Sequence, residues 1–151
     1  MKTFTQNPLP GSLLALLLLI TAIACKKDKI TDLSRDFSIE QSKTYNFEQD
    51  GNILASVTLI AIEDSRCPIN ALCVTAGFGK VTLKIKDLSI HTEKELTLYI
   101  GEGVPKEKKD LKQLNINGTN YVLQLKNINP LYYNTYSVKM PFIAYLSLTK
   151  L

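Results

Sequence analysis

From Lys80 to Lys86 the chain reads KVTLKIK, placing Val81, Leu83 and Ile85 at every second position against Lys80, Thr82, Lys84 and Lys86. That period of two marks a strand with one face on a core and one in water. Leu96, Leu98 and Ile100 repeat it, as do Tyr121, Leu123 and Leu125, and then Phe142, Ala144, Leu146 and Leu148. Phe37 with Ile39 and Tyr45 with Phe47 predict two shorter strands, and Ile53 to Ile62, apolar on nearly both sides, predicts a central strand covered on both faces. Turn signals separate these runs at Asp50-Gly51-Asn52, at Gly101-Glu102-Gly103 with Pro105, and between Asn115 and Asn120 around Gly118. The stretch KEKKDLKQL, Lys106 to Leu114, is the one place that predicts a helical turn or two. About seven or eight short strands without a long helix make the expected fold all-β, an antiparallel β-sandwich that is immunoglobulin-like in the broad sense.

The N-terminal segment breaks this pattern. After Lys2 comes an uninterrupted apolar run from Leu13 to Ile20, then Thr21-Ala22-Ile23-Ala24-Cys25. An apolar stretch of about a dozen residues falls short of the ~20 that span a bilayer as a helix. It reads as an export signal over residues 1–24. A cysteine directly after Ala24 resembles the lipobox of bacterial lipoproteins, in which the sulfur of the new N-terminal cysteine carries diacylglycerol and its amino group is acylated with a palmitate-like chain. The expectation is a lipidated Cys25, a polar tether over residues 25–35, and a single domain over 36–151. Lys26 in place of Asp fits sorting to the outer membrane, and Lys26-Lys27-Asp28 loosely resembles a surface-export tag. The predicted location is therefore the bacterial cell envelope, with the domain periplasmic or surface-facing and the membrane contacted through the anchor.

Charge changes the picture little. Loss of the leader removes Lys2 and lowers the net charge from +4 to about +3, and the basic residues are too dispersed for a nucleic-acid partner. Cysteine count matters more. Three cysteines are an odd number for an exported chain, and acylation of Cys25 leaves Cys67 and Cys73 as a pair.

The stretch EDSRCPINALCVTAGFGK, from Glu63 to Lys80, holds that pair. A structural zinc site needs four ligands, whereas the chain after Cys25 offers Cys67, Cys73 and the lone His91. A redox pair calls for Cys-x-x-Cys, and here five residues intervene. A disulfide, favoured in an oxidising envelope, is the expected reading, and closing so short a loop stabilises by roughly 2 to 2.5 kcal/mol in the entropic model. No metal and no cofactor are expected. Asp64 is placed to accept the N–H two residues on, Arg66 to pair with Asp64 or Glu63, and Pro68 to stiffen the loop. Two roles compete for the stretch: a buried strand-to-strand crossover, or a rigid presented loop whose Ile69 and Leu72 touch a partner or enter a protease cleft.

Asp64-Ser65-Arg66-Cys67-Pro68, then Cys73, Ala76 and Gly77, resembles a family of largely uncharacterised bacterial exported proteins and lipoproteins that carry this pattern between two β-strands. The family has Trp two residues after the second cysteine, where this chain has Thr75. The resemblance implies a β-sandwich at an envelope location and brings no activity with it.

Catalytic constellations are thin. His91 is the single imidazole, and no Gly-x-Ser-x-Gly elbow surrounds any serine. Glu63 with Asp64, or Glu93 with Glu95, read more simply as turn and exposed-face residues than as a glycosidase pair. Leu131 to Tyr136 brings Tyr132, Tyr133 and Tyr136 together as a candidate protein or glycan contact. The expected function is a non-enzymatic envelope module, structural or ligand-binding, and the alternative is an inhibitor of a secreted protease acting through loop 67–73.

Overall fold

The structure, a computed structural model, describes residues 32–68, 71–129 and 141–151. Among these residues there are eight strands and no helix: Arg35–Glu40 (β1), Thr44–Gln49 (β2), Asn52–Asp64 (β3), Gly79–Asp87 (β4), Thr92–Ile100 (β5), Leu111–Ile116 (β6), Thr119–Asn129 (β7) and Ile143–Lys150 (β8). They form two antiparallel sheets of four, in the orders β2-β3-β4-β5 and β1-β8-β7-β6. The predicted all-β sandwich is the observed one. The immunoglobulin likeness lies in the two packed sheets, for the connectivity is a next-neighbour meander: the chain walks across one sheet from β2 to β5, crosses to β6, and returns through β7 and β8 to β1.

The core follows the period-two pattern. Val81, Leu83 and Ile85 of β4, Leu123 and Leu125 of β7, and Leu146 and Leu148 of β8 are all buried in one core between the sheets. Phe37 stacks on Tyr45, both meet Phe47 edge-on, and the three rings, with centroids 4.7 to 5.2 Å apart, close the side where β1 and β2 meet. Leu33 is also buried, and its N–H donates to the Tyr121 hydroxyl at 3.2 Å. The packed domain thus begins ahead of position 36, because an apolar side chain in the expected tether is drawn into the core.

Two expected elements are corrected. Leu111–Ile116 is a strand, not a helical turn: it pairs with β7 from Leu111↔Gln124 to Ile116↔Thr119. The two-residue turn Asn117-Gly118, with φ of 49° and 73°, joins them as a tight hairpin. β3 is central in its sheet but covered on one face only. Ala55, Val57 and Leu59 are buried, while Ile53 and Ile60 are exposed. A bulge between Leu59 and Ala61 shifts the register there, so that Ile62 lies opposite the buried Val81 and the inward side skips two residues rather than one. That extra apolar position is what made both faces read as covered.

The meander sorts its connections. The turns β2–β3, β4–β5 and β6–β7 leave from one end of the sandwich, where β1 also starts beside the end of β8, Arg35 opposite Leu148. The connections β1–β2, β3–β4, β5–β6 and β7–β8 all leave from the other end. The first set is short; the second includes residues 65–78, 101–110 and the span between Asn129 and Ile143. Long loops and the entry of the chain into the domain are therefore at opposite ends.

Candidate functional site

At the loop-bearing end, the β3–β4 ladder continues past the strands. Ser65 N–H donates to the Phe78 carbonyl at 3.0 Å, Phe78 N–H donates to Ser65 Oγ at 3.2 Å, and Cys67 N–H donates to the Ala76 carbonyl at 3.0 Å. Beyond that last rung the Cys67–Cys73 disulfide, with Cα atoms 5.9 Å apart, closes the loop. The pair is a staple, as expected. The loop, however, is not a buried crossover: β3 and β4 are adjacent strands of one sheet, and residues 71–76 are exposed.

The base of the loop is fastened to the opposite sheet by Arg66. Its N–H and Nε–H both donate to Asp64 Oδ1, at 3.1 and 2.8 Å, and Nη2 donates to Asp64 Oδ2 at 2.6 Å. Nη2 also donates to the Ile128 carbonyl at 2.7 Å, and Nη1 approaches Asn127 Oδ1 at 3.4 Å. The side chains are 11% and 2% exposed for Arg66 and Asp64, so this is a buried ion pair with two further guanidinium bonds to β7. A bulge between Leu125 and Asn127 turns β7 at that point. Glu63, the other acid considered for Arg66, instead accepts from Lys80 Nζ at 2.6 Å, a hydrogen bond that raises the pKa of Lys80.

Three glycines complete the base. Gly77 has φ of 64°, and a Cβ there would lie 1.9 Å from the Ser65 carbonyl oxygen, so no side chain fits. Gly103 donates its N–H to the Gly77 carbonyl at 2.9 Å, and a Cβ on Gly103 would meet that oxygen at 2.5 Å. Gly101 packs against the Arg66 side chain. The β3–β4 and β5–β6 loops are thereby docked backbone to backbone. Tyr99 at the end of β5 stands beside Phe78, centroids 5.9 Å apart, and Lys108 Nζ lies 4.6 Å from its ring centre and donates to its hydroxyl at 3.0 Å. Tyr99, Gly101, Pro105, Lys106, Lys108 and Lys109 line a shallow cleft of about 600 Å³.

Of the residues singled out in the sequence, the structure brings Asp64, Arg66, Cys67, Pro68, Leu72, Cys73 and Gly77 together in one clamped loop. The Pro68 carbonyl accepts the Ala71 N–H at 3.1 Å. Leu72 and Val74, on either side of Cys73, are fully exposed. Cys25, Ile69, Tyr132, Tyr133 and Tyr136 lie outside the described residues, as do the leader 1–24 and most of the tether. His91 sits in the β4–β5 turn with φ of 52°, at the opposite end from the loop. Sequence reasoning named Ser65 only within the motif and Gly101 and Gly103 only as a turn, and it missed Tyr99 and Asn127. The Gly101-x-Gly103 spacing was legible as a turn, but its partner was not.

Among the described residues no group of His, Cys, Asp or Glu is arranged to hold a metal, and no helix is long and apolar enough to cross a membrane. Comparison with family models, curated proteins and solved structures finds no match to this chain.

Proposed function

We propose that this chain is an envelope lipoprotein of the exported family it resembles, tethered through Cys25, whose β-sandwich is a non-enzymatic module that binds a ligand through its loop-bearing end. The observation that carries this reading is the sorting of connections: a disulfide-closed loop with exposed Leu72 and Val74 stands at the end opposite the point where the chain enters the domain. A tether at one end leaves the other free to meet a partner. A stapled loop also loses little conformational entropy on binding, which favours affinity.

The test places a photo-crosslinker at position 72 or, as control, at position 90, since Ile90 is also exposed to solvent but lies at the turn-bearing end. Full-length protein in its native membrane is irradiated, and its N-terminal peptide is weighed. Adducts confined to position 72 with a triacylated Cys25 support the reading; adducts equally from position 90, or an unmodified Cys25, overturn its two halves separately. The full exposure of Leu72 between two clamped segments also favours the second reading, protease inhibition, in which that side chain fills a specificity pocket. Tight, slowly cleaved complexes with a secreted protease, lost in Leu72→Asp, are its signature.

A further inference from the structure

Between Arg66 and Lys80 the chain carries no charged residue, through CPINALCVTAGFG. On the neighbouring loop three lysines fall within four positions, Lys106, Lys108 and Lys109, and all three line one cleft, which Glu102 and Glu107 of the same loop do not. The fourth charged residue of that cleft, Asp110, accepts from Gln124 Nε2 at 2.7 Å. The Gly77–Gly103 bond locks the uncharged loop to the loop that carries these lysines. We infer that this end of the sandwich docks on an anionic lipid surface, with Leu72 and Val74 entering the acyl boundary and the three lysines meeting the headgroup phosphates. The inference deepens the reading above by naming the ligand of the loop-bearing end, and it rests on that reading for the end being free.

The layering matches a bilayer interface. Lys80 pairs with Tyr99 across β4 and β5, and the ladder runs four residues further to Ala76 before the exposed segment begins. The apolar tip thus lies beyond the level of Tyr99 and Phe78, by no more than the ~3.3 Å per residue that an extended chain can reach. Interfacial segments bury their apolar part about 5 to 10 Å deep. Aromatic rings and lysines then fall at headgroup depth, where amphipathic rings and basic side chains are favoured. A protein partner is the lesser fit: binding hot spots on proteins are enriched in Trp, Tyr and Arg seated in pockets, whereas residues 71–76 protrude and carry none of these.

Because the chain enters the domain at the end opposite the tip, a protein tethered to one membrane would hold a second. The full chain, extracted from membranes, is reconstituted into pure phosphatidylcholine donor vesicles and mixed with labelled acceptor vesicles of phosphatidylcholine with or without phosphatidylglycerol. Capture of the phosphatidylglycerol acceptors, weakening as salt rises, is the expected result. Leu72→Ser with Val74→Ser lowers capture at least about tenfold through lost apolar burial. Each of Lys106→Gln, Lys108→Gln and Lys109→Gln lowers it about fivefold, the equivalent of ~1 kcal/mol per basic residue near such a surface. Equal capture of pure phosphatidylcholine acceptors, capture unchanged in the Leu72/Val74 variant, or no capture by folded protein in the donors overturns the inference. Failure of capture alongside protein adducts at position 72 assigns the tip to a protein instead. A chain that does not stay with the donors overturns the anchor alone, and its direct co-sedimentation with phosphatidylglycerol vesicles still decides the tip.

Discussion

At the turn-bearing end the chain reverses within two to four residues, using left-handed Asp50-Gly51, His91 and Asn117-Gly118, while at the loop-bearing end it wanders through residues 65–78 and 101–110 before returning. Each end nevertheless fastens one sheet to the other through a buried carboxylate. At the first, Asp87 at the end of β4 accepts from Asn117 N–H of the β6–β7 turn at 2.8 Å, from Ser89 N–H at 2.9 Å and from the Ser89 hydroxyl. At the second, Asp64 holds Arg66, and Arg66 reaches the Ile128 carbonyl of β7. The carboxylate is balanced by dipoles in one case and by a cation in the other. Dipoles suffice where short turns already point N–H groups inward. A long loop supplies no such convergent amides, so a guanidinium, planar and rich in donors, serves both the acid and the facing sheet.

The largest effect follows from that difference. Arg66→Ala leaves the Asp64 carboxylate, 2% exposed, without its cation, and removal of one partner of a buried pair costs about 3 to 5 kcal/mol. Urea unfolding should show this loss, with Arg66→Lys recovering little because an ammonium cannot span Asp64 and Ile128 in the same geometry. A loss under ~1 kcal/mol would break the comparison by showing that the loop-bearing end is held elsewhere.

Replacing Cys67 and Cys73 together by Ser should lower stability by about 2 kcal/mol, the entropic value for so short a closed loop. The far-ultraviolet signature of the sheets should be unchanged, because the Ser65–Phe78 rungs lie inside the staple. Collapse of the sheet signal would show instead that the staple, not Arg66, organises this end.

The turn-bearing clamp should fail differently. Burial alone would raise the pKa of Asp87, but bonds from the Ser89 hydroxyl and from the Asn117, Ser89 and Ile90 amides hold it below the ordinary carboxylate value of 3.8. With the folded pKa below the unfolded one, the stabilisation is complete above about pH 4 and disappears as pH falls through the folded value. Asp87→Asn should cost ~1.5 kcal/mol at neutral pH and flatten the acid limb of a stability–pH curve. An acid limb unchanged in that variant would assign the acid sensitivity to other carboxylates.

How far these two ends could be read from the sequence differs with the range of the interactions. The turns were legible, because Asp-Gly and Asn-Gly carry their own backbone chemistry. So were β4, β7 and β8, whose one-sided burial writes a period of two. β6 was not: it is a short edge strand whose Leu111 and Leu114 stand three apart, the spacing of a helix face, with Leu111 pointing to solvent. At the loop-bearing end the local part was legible, the Asp64–Arg66 turn and the staple. The link from Arg66 to Ile128 spans 62 positions and depends on a bulge in β7, and nothing in either segment announces it. The Gly77–Gly103 contact was hidden for the same reason, since each glycine taken alone signals only a turn.

The smallest effect sharpens the comparison most. Leu72 and Val74 are fully exposed and lie outside the core, so Leu72→Ser, alone or with Val74→Ser, should shift unfolding by no more than about 0.5 kcal/mol, the range for surface positions away from special features. In the same stretch Asp64 and Arg66 work for stability through an ion pair, Cys67 and Cys73 through a disulfide, and Gly77 as a position that admits no side chain. If urea midpoints of the tip variants match the parent while the Arg66 and cysteine variants fall, the loop divides into a base that folds and a tip that the fold does not need. An aliphatic tip held rigid in water without folding cause is then explained by what it meets outside the molecule. A loss of 1 kcal/mol or more in Leu72→Ser would mean that the tip packs on the domain in solution, and the case for an outward-facing contact would fall with it.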